Sequence, residues 1–215
     1  MHLVIISDTH GKHESVTIPP CDVLIHCGDC TVDAGRADLR NFLLWLEKQP
    51  APKKILVAGN HDWAFEKWNG LSRQMVNEIA PSAIYLEDSG IEIDGFKFWG
   101  SPVTPEFFNW AFNRKRGAEI KRHWDKIPND TDVLITHGPP SDLLDVTYSG
   151  KRDGCQDLRE AIERVKPKLH VFGHFHRSYG RAALSHVGDK ITVLINASIC
   201  DESYNPTRKP AEFNL

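Results

Sequence analysis

Leu3-Val4-Ile5-Ile6 runs straight into Ser7-Asp8-Thr9-His10-Gly11, and the reading of that junction decides the fold. A short apolar run rich in β-branched residues reads as a buried strand, and the polar residues behind it as a tight loop. The junction recurs along the chain. Val23-Leu24-Ile25 leads into His26-Cys27-Gly28-Asp29, and Ile55-Leu56-Val57 into Ala58-Gly59-Asn60-His61-Asp62. Val133-Leu134-Ile135 leads into Thr136-His137-Gly138-Pro139-Pro140, and Leu169-His170-Val171-Phe172 into Gly173-His174-Phe175-His176. A last run, Ile191 to Ile195, precedes Asn196-Ala197-Ser198.

Helical patterns separate these runs. Ala37 to Lys48 sets Leu39, Phe42, Leu43 and Leu46 on one face at spacings of three and four, and Asp157 to Val165 does the same with Leu158, Ala161, Ile162 and Val165. Ile91-Glu92-Ile93, Asp94-Gly95 and Phe96-Lys97-Phe98 read as a hairpin. Pro50, Pro52, Pro81, Pro139 and Pro140 punctuate elements without marking a linker. Strands alternating with helices over 215 residues read as one α/β domain, residues 1–215.

Hydrophobic residues at 40% and charged residues at 26% give the balance of a globular chain. Lys plus Arg is 26 and Asp plus Glu is 29, and the resulting net charge of −3 speaks against bulk binding of nucleic acid or a membrane surface. No stretch nears the roughly 20 apolar residues that span a bilayer. The first residues lack the basic region of a signal peptide, and five Cys without scaffold spacing point to a reducing cytoplasm. The unusual number is 11 His against 2 Met, because His10, His61, His137, His174 and His176 all sit in polar loops directly behind apolar runs.

Polar residues just past strand ends converge on one crevice in α/β folds. Here those positions hold Asp8, His10, Asp29, Asn60, His61, His137, His174 and His176. Asp8-x-His10 and His174-x-His176 are i, i+2 pairs, which point the same way in an extended segment, so two ligands can reach one metal from a single chain end. Gly28, Gly59 and Gly173 precede ligand candidates, where a sharp backbone turn is expected. Imidazole and oxygen donors without a thiolate cluster suit Mn, Fe, Zn, Ni or Co and argue against a structural zinc knot.

Asp8-x-His10, Gly28-Asp29, Gly59-Asn60-His61-Asp62, His137 and Gly173-His174-x-His176 together resemble the five-block signature of the calcineurin-like metallophosphoesterases, in that family's order from residue 3 to about residue 200. Gly100-Ser101-Pro102-Val103-Thr104-Pro105, Thr136 to Pro140, Pro167 to Gly173 and Ile195 to Ser198 resemble a narrower branch, the metallophosphoesterase-domain-containing proteins first noted in vertebrate brain. Some of that branch carry Gly where this chain has His174. The resemblance implies a four-layer αββα sandwich of two mixed sheets flanked by helices. It implies that Asp8, His10 and His176 bind one metal, that Asn60, His137 and His174 bind the other, and that Asp29 bridges both. His61 then faces the substrate as proton donor, with Asp62 orienting it. Two divalent or trivalent metals, with Mn expected to support activity, would lie roughly 3.5–4 Å apart, acidify a bridging water and clamp the phosphoryl oxygens for in-line attack.

The implied activity is phosphodiester hydrolysis on a small-molecule or nucleotide substrate, cyclic nucleotides included. Phosphomonoesterase or protein phosphatase activity, nuclease activity, and a non-catalytic scaffold on the same fold are the rivals. Asn60 and His61 are expected at the substrate, together with Phe108, Asn109 and Arg114. The aromatic segments Trp63 to Trp68 and Phe107 to Phe112 are read as core packing or as a substrate wall. Arg114, Lys115, Arg116, Lys121 and Arg122 read as a solvated helix face or a phosphate contact. His2, His13, His26, His123, His170 and His186 read as structural or surface residues, Cys27-x-x-Cys30 as small core residues, and Asn196 and Ser198 as turn residues able to orient a ligand.

Overall fold

The computed structural model describes residues 1–32 and 35–215. In chain order the strands are β1 (His2–Ile6), β2 (Val23–His26), β3 (Lys53–Leu56), β4 (Ala83–Tyr85), β5 (Ser89–Ile93), β6 (Phe96–Ser101) and β7 (Thr104–Pro105). They continue with β8 (Asn113–Arg114), β9 (Val133–Thr136), β10 (Leu169–Phe172), β11 (Gly180–Ser185), β12 (Ile191–Asn196) and β13 (Ala211–Asn214). The helices are α1 (Arg36–Glu47), α2 (Trp63–Lys67), α3 (Asn69–Ile79), α4 (Ala118–Trp124) and α5 (Gln156–Val165).

Among the described residues the strands build a five-stranded sheet, ordered β13-β1-β2-β3-β4, and a six-stranded sheet, ordered β11-β12-β10-β9-β6-β5. Both are mixed: β1 to β4 run parallel with β13 antiparallel at one edge, and β6, β9, β10 and β12 run parallel between antiparallel β5 and β11. Alternation along each strand explains the layering. Leu3, Ile5, Val23 and Ile25 meet Phe98, Val133, Ile135, Leu169 and Val171 between the sheets. Their neighbours Val4, Ile6, Leu24 and Leu56 face Leu39, Phe42, Leu43 and Leu46 of α1. Leu134 packs on the other side against Ile120 and Trp124 of α4 and Leu158 and Ile162 of α5. The result is the αββα sandwich. Its inner strands read as unbroken apolar runs because both faces are buried, each Leu or Ile contributing roughly 1.5–3 kcal/mol.

The Asp94-Gly95 hairpin forms with Ile93 opposite Phe96, and both turn residues have positive φ (50° and 81°), as a two-residue primed turn requires. β2 extends one residue further than the apolar run, so His26 is a buried strand residue.

Asp88, between β4 and β5, ties α4 to the second sheet. Its carboxylate accepts from Ser101 Oγ (2.7 Å), His123 Nδ1 (2.6 Å) and Lys126 Nζ (2.8 Å). Burial opposes its ionisation, but Lys126, Ser101 and His123 outweigh burial and hold its pKa below the usual carboxylate range. The stabilisation is therefore present above the unfolded value of about 3.9 and is lost as pH falls through the lower folded value. Asp88→Asn, which tolerates the positive φ of 44°, should cost about 1–3 kcal/mol at pH 7 in urea unfolding, and the gap to the parent chain should close towards pH 3.

Candidate metal centre

The loops behind β1, β2, β3, β9 and β10 meet at the carboxyl ends of their strands. Asp8 (φ 55°), His10 (φ 42°), Asp29 (φ 55°) and His174 (φ 68°) all lie in the left-handed region, so the backbone there is turned and not extended. This corrects the i, i+2 argument. Asp8 and His10 do share a donor group, but by a twist of the loop, while His174 and His176 part company and His176 opens a short 3-10 turn. The glycine expectation also divides. Gly28 makes the turn with φ 107°, whereas Gly59 and Gly173 are needed for close approach: a Cβ there would collide with the carboxylates of Asp29 and Asp8 respectively.

Three groups of side chains place one donor atom each within 4.8 Å of one another: Asp8, His10 and His176; Asp29, His137 and His174; and His10, Asp29 and His61. The carboxylate oxygen Oδ2 of Asp29 lies 3.8 Å from His10 Nε2 and 3.3 Å from His137 Nε2, and so faces two of these groups at once. Asn60 Oδ1 is 2.9 Å from His137 Nε2. Neighbouring backbone fixes which ring nitrogens point inward. His137 Nδ1–H donates to the Cys27 carbonyl (2.9 Å) and His176 Nδ1–H to the Asp201 carbonyl (2.9 Å), which leaves Nε2 as the ring nitrogen that each presents to the cleft. His137 Nε2 then faces the oxygens of Asn60 and Asp29, and His176 Nε2 faces His10 Nε2 (3.3 Å) and Asp8 Oδ1 (3.4 Å). Two buried carboxylates among converging imidazole nitrogens make a site that favours cations, and the all-N/O donor set fits divalent transition metals.

The electrostatics point the same way. Burial opposes ionisation of Asp8 and Asp29, but His176 beside Asp8 and His137 beside Asp29 outweigh it and hold both carboxyls below the usual range. Burial pushes His10 down to about 4 and His174 to about 3, so both are neutral donors at pH 7. At His137 burial is overcome by Asp29 and Asp8, whose field raises it to about 9 and favours positive charge at that spot.

Each half of the centre rests on a buried imidazole from the next strand. Gly28 N–H donates to His26 Nδ1 (3.2 Å), so His26 Nε2–H donates to Thr9 Oγ1 (3.0 Å), between Asp8 and His10. Thr136 Oγ1 donates to the Gly138 carbonyl (2.7 Å) and accepts from His170 Nε2–H (2.8 Å), just ahead of His137. Burial holds His26 and His170 at about 3, so both are neutral. Ser198 Oγ donates to Asp8 Oδ2 (2.9 Å), and Asn196 holds the Ser198 N–H (3.1 Å).

Asp62 does not orient the His61 ring. Its carboxylate accepts from Gly59 N (2.8 Å), Thr31 N (2.9 Å), Thr31 Oγ1 (2.7 Å) and Cys30 N (3.2 Å), and so braces the Asp29 loop against the Asn60 loop. Burial and the charge of Asp29 push its pKa up against those donors. The His61 imidazole instead stacks on Trp110 (centroids 4.3 Å, 35°), its Nδ1 lies 3.4 Å from the Val32 carbonyl, and its backbone N–H donates to Asp29 Oδ1 (2.8 Å). Ala111 N–H donates to the Asn60 carbonyl (3.2 Å), which ties the aromatic segment to this loop.

A cavity of about 250 Å³ over the centre is walled by Phe107, Phe108, Trp110 and Tyr204 above His10, Asn60 and His61. Asn109 is exposed and not part of that wall, and Phe112 is buried in the core. Arg114 turns away to Glu66 (3.5 Å) and to the Asn113 carbonyl (2.7 Å), because β8 points it at α2. Trp63 packs on the helix-side core under Lys67, and Trp68 lies under Arg36, so Trp63 to Trp68 is no part of the cleft wall. The basic run splits: Lys121 pairs with Asp125 along α4 (2.6 Å), and Arg116 is held by Asp153 (2.6 Å) and the Gly154 carbonyl (2.8 Å). Cys27 and Cys30 are buried and unpaired.

Sequence reading missed the segment 199–208. The Asp201 carbonyl orients His176, the Tyr204 ring sits edge-on to His10 (4.8 Å) and His176 (5.2 Å), and Arg208 binds the carbonyls of His176 and Cys200. Backbone acceptors leave no mark in side-chain identity, so no residue pattern marks this strap.

A family model of the calcineurin-like phosphoesterases matches residues 1–178. The chain belongs to that family. This calcineurin-like phosphoesterase is 36% identical over 233 residues to metallophosphoesterase domain-containing protein 1 of Homo sapiens, a match covering 99% of this chain and 70% of the relative. It is 37% identical over 225 residues to a UPF0046 protein of Caenorhabditis elegans, covering 100% and 75%. The solved phosphopantetheinyl hydrolase of Mycobacterium tuberculosis superposes with a TM-score of 0.61 over 97% of this chain and 95% of that one; at 16% identity the likeness is one of fold. As a calcineurin-like phosphoesterase the protein is a metal-dependent phosphoester hydrolase, and the family implies a dinuclear divalent centre, for which the clustered His and Asp groups are the candidates. No helix among the described residues is long and apolar enough to cross a membrane.

Proposed function

We propose that residues 1–215 act as one domain and hydrolyse small-molecule phosphodiesters, cyclic nucleotides among them. Asp8, His10 and His176 would hold one metal, Asn60, His137 and His174 the other, and Asp29 both. When bound, two such ions supply Lewis-acid charge and an acidified water. The chain supplies the rest: the Asp29 carboxylate sets the spacing of the two donor groups, Asp62 braces the loops that carry Asp29 and Asn60, and His61 delivers a proton to the departing ester oxygen. Five buried, unpaired cysteines support a reducing, cytoplasmic setting.

One observation carries the diester reading. Among the described residues, the cavity over the centre is lined by aromatic and imidazole rings with Asp29 and Asn60 at its floor, and by no Arg or Lys. A dianionic monoester needs a cationic grip on its free oxygens, whereas a monoanionic diester needs room and an apolar wall for its second alcohol. Bis(4-nitrophenyl) phosphate should therefore be hydrolysed with a higher kcat/KM than 4-nitrophenyl phosphate in Mn²⁺ at neutral pH. A preference for the monoester, with no turnover of any cyclic nucleotide, contradicts the reading.

A further inference from the structure

Beside the cavity over the centre lies a larger one of about 460 Å³. The two share Phe107, Tyr204, His174 and His176, so they form one continuous cleft: its smaller arm covers the metal centre, and the larger opens from it past His174 and His176. His61 and Trp110 lie only in the smaller arm. Pro139, Tyr148 and Phe175 lie only in the larger one.

The wall of the larger arm is built and not merely draped. Asp145 is 1% exposed, and its carboxylate accepts from Asp142 N (2.8 Å) and Arg152 (2.5 Å). Val146 N–H donates to Ser178 Oγ (2.9 Å), which donates back to the Val146 carbonyl (3.0 Å) and pins the loop carrying Tyr148 to the turn that carries His176. The charges at the rim are largely spent within the protein. Arg116 pairs with Asp153 (2.6 Å) and Glu202 with Arg208 (3.4 Å), while Arg177 reaches the Tyr148 carbonyl (3.3 Å). Most of the accessible wall is therefore apolar, which suits an uncharged hydrophobic group.

In-line displacement assigns the arms. The departing oxygen must lie beside its proton donor, which puts the leaving alcohol in the arm that contains His61. The retained ester group is then directed to the other arm. Resting on the diester reading above, we infer that the larger arm is a subsite for the retained alcohol and that it selects a large, uncharged, aromatic or apolar group there.

The test keeps the leaving group constant. The Mn²⁺-loaded full chain is assayed on methyl, phenyl and 2-naphthyl 4-nitrophenyl phosphate. The aryl esters should exceed the methyl ester in kcat/KM by about 10- to 100-fold, mainly through KM. Tyr148→Ala, at a position 81% exposed and outside the core, should lower that aryl-to-methyl ratio by about tenfold. Trp110→Ala, on the leaving-group side, should slow all three esters alike and leave the ratio standing. Equal kcat/KM for the three esters, or a ratio that responds to Trp110→Ala and not to Tyr148→Ala, overturns the subsite assignment while the diester reading stands. Failure to hydrolyse any of the three overturns the diester reading and this inference with it.

Discussion

His61→Ala should retain two metal ions per chain and still lose about 10²–10⁴-fold in kcat, the scale of a positioned proton donor, on a cyclic nucleotide, whose departing alkoxide needs a proton. The two roles open to His61 separate cleanly in this variant. Its ring falls in a donor group with His10 and Asp29, so a ligand role is geometrically available. Its link to Asp29, however, is through the backbone N–H, which alanine keeps. Stacking on Trp110 holds the imidazole over the cleft, where the proposed proton donor would stand. Metal content by mass spectrometry, read beside kcat, decides between them. A variant that folds as the parent does yet carries one metal makes His61 a ligand.

Asp29→Asn should be the most damaging change at the centre. Oδ2 faces His10 at 3.8 Å and His137 at 3.3 Å, so loss of its charge weakens both metal positions together. At fixed Mn²⁺, activity should fall by more than the ~10–100-fold typical of removing one outer partner of a ligand. Asparagine keeps the size of the side chain and an acceptor for the His61 N–H, so the effect reports charge and bridging rather than collapse of the loop. His174→Ala should instead weaken one position only. Mn²⁺ titration of the two variants, with stoichiometry read by calorimetry, distinguishes them. Equal loss in both variants removes the bridging role from Asp29.

The strands were legible because they are buried on two faces. Leu3 to Ile6 contains no polar interruption and Val133 to Ile135 follows the same rule, while Leu169 to Phe172 admits one buried polar residue, His170, which donates to Thr136. The α1 and α5 stripes were legible for the opposite reason, since one face of each is solvated. The cluster itself was legible because its side chains are chemically costly to bury. Asp8 and Asp29 at 0% and 2% exposure have no business beside apolar strands unless they meet partners there. Roles within the cluster were harder to read. Asp62 follows His61 directly, yet its carboxylate turns the other way to collect the N–H groups of Thr31 and Gly59, an arrangement set by tertiary loop packing. Arg114 failed as a substrate contact because β8 directs it to Glu66, 48 residues away in sequence. Phe108 and Trp110 face the cleft while Phe112 is buried, although all three read alike as aromatics in one segment.

The central claim is that two metals share Asp29. The measurement that tests it most directly is anomalous scattering from crystals of the Mn²⁺-loaded protein. The account predicts two peaks roughly 3.5–4 Å apart, one against Asp8, His10 and His176, the other against Asn60, His137 and His174, with the Asp29 carboxylate touching both. A single peak, or two peaks of which only one contacts Asp29, would contradict it.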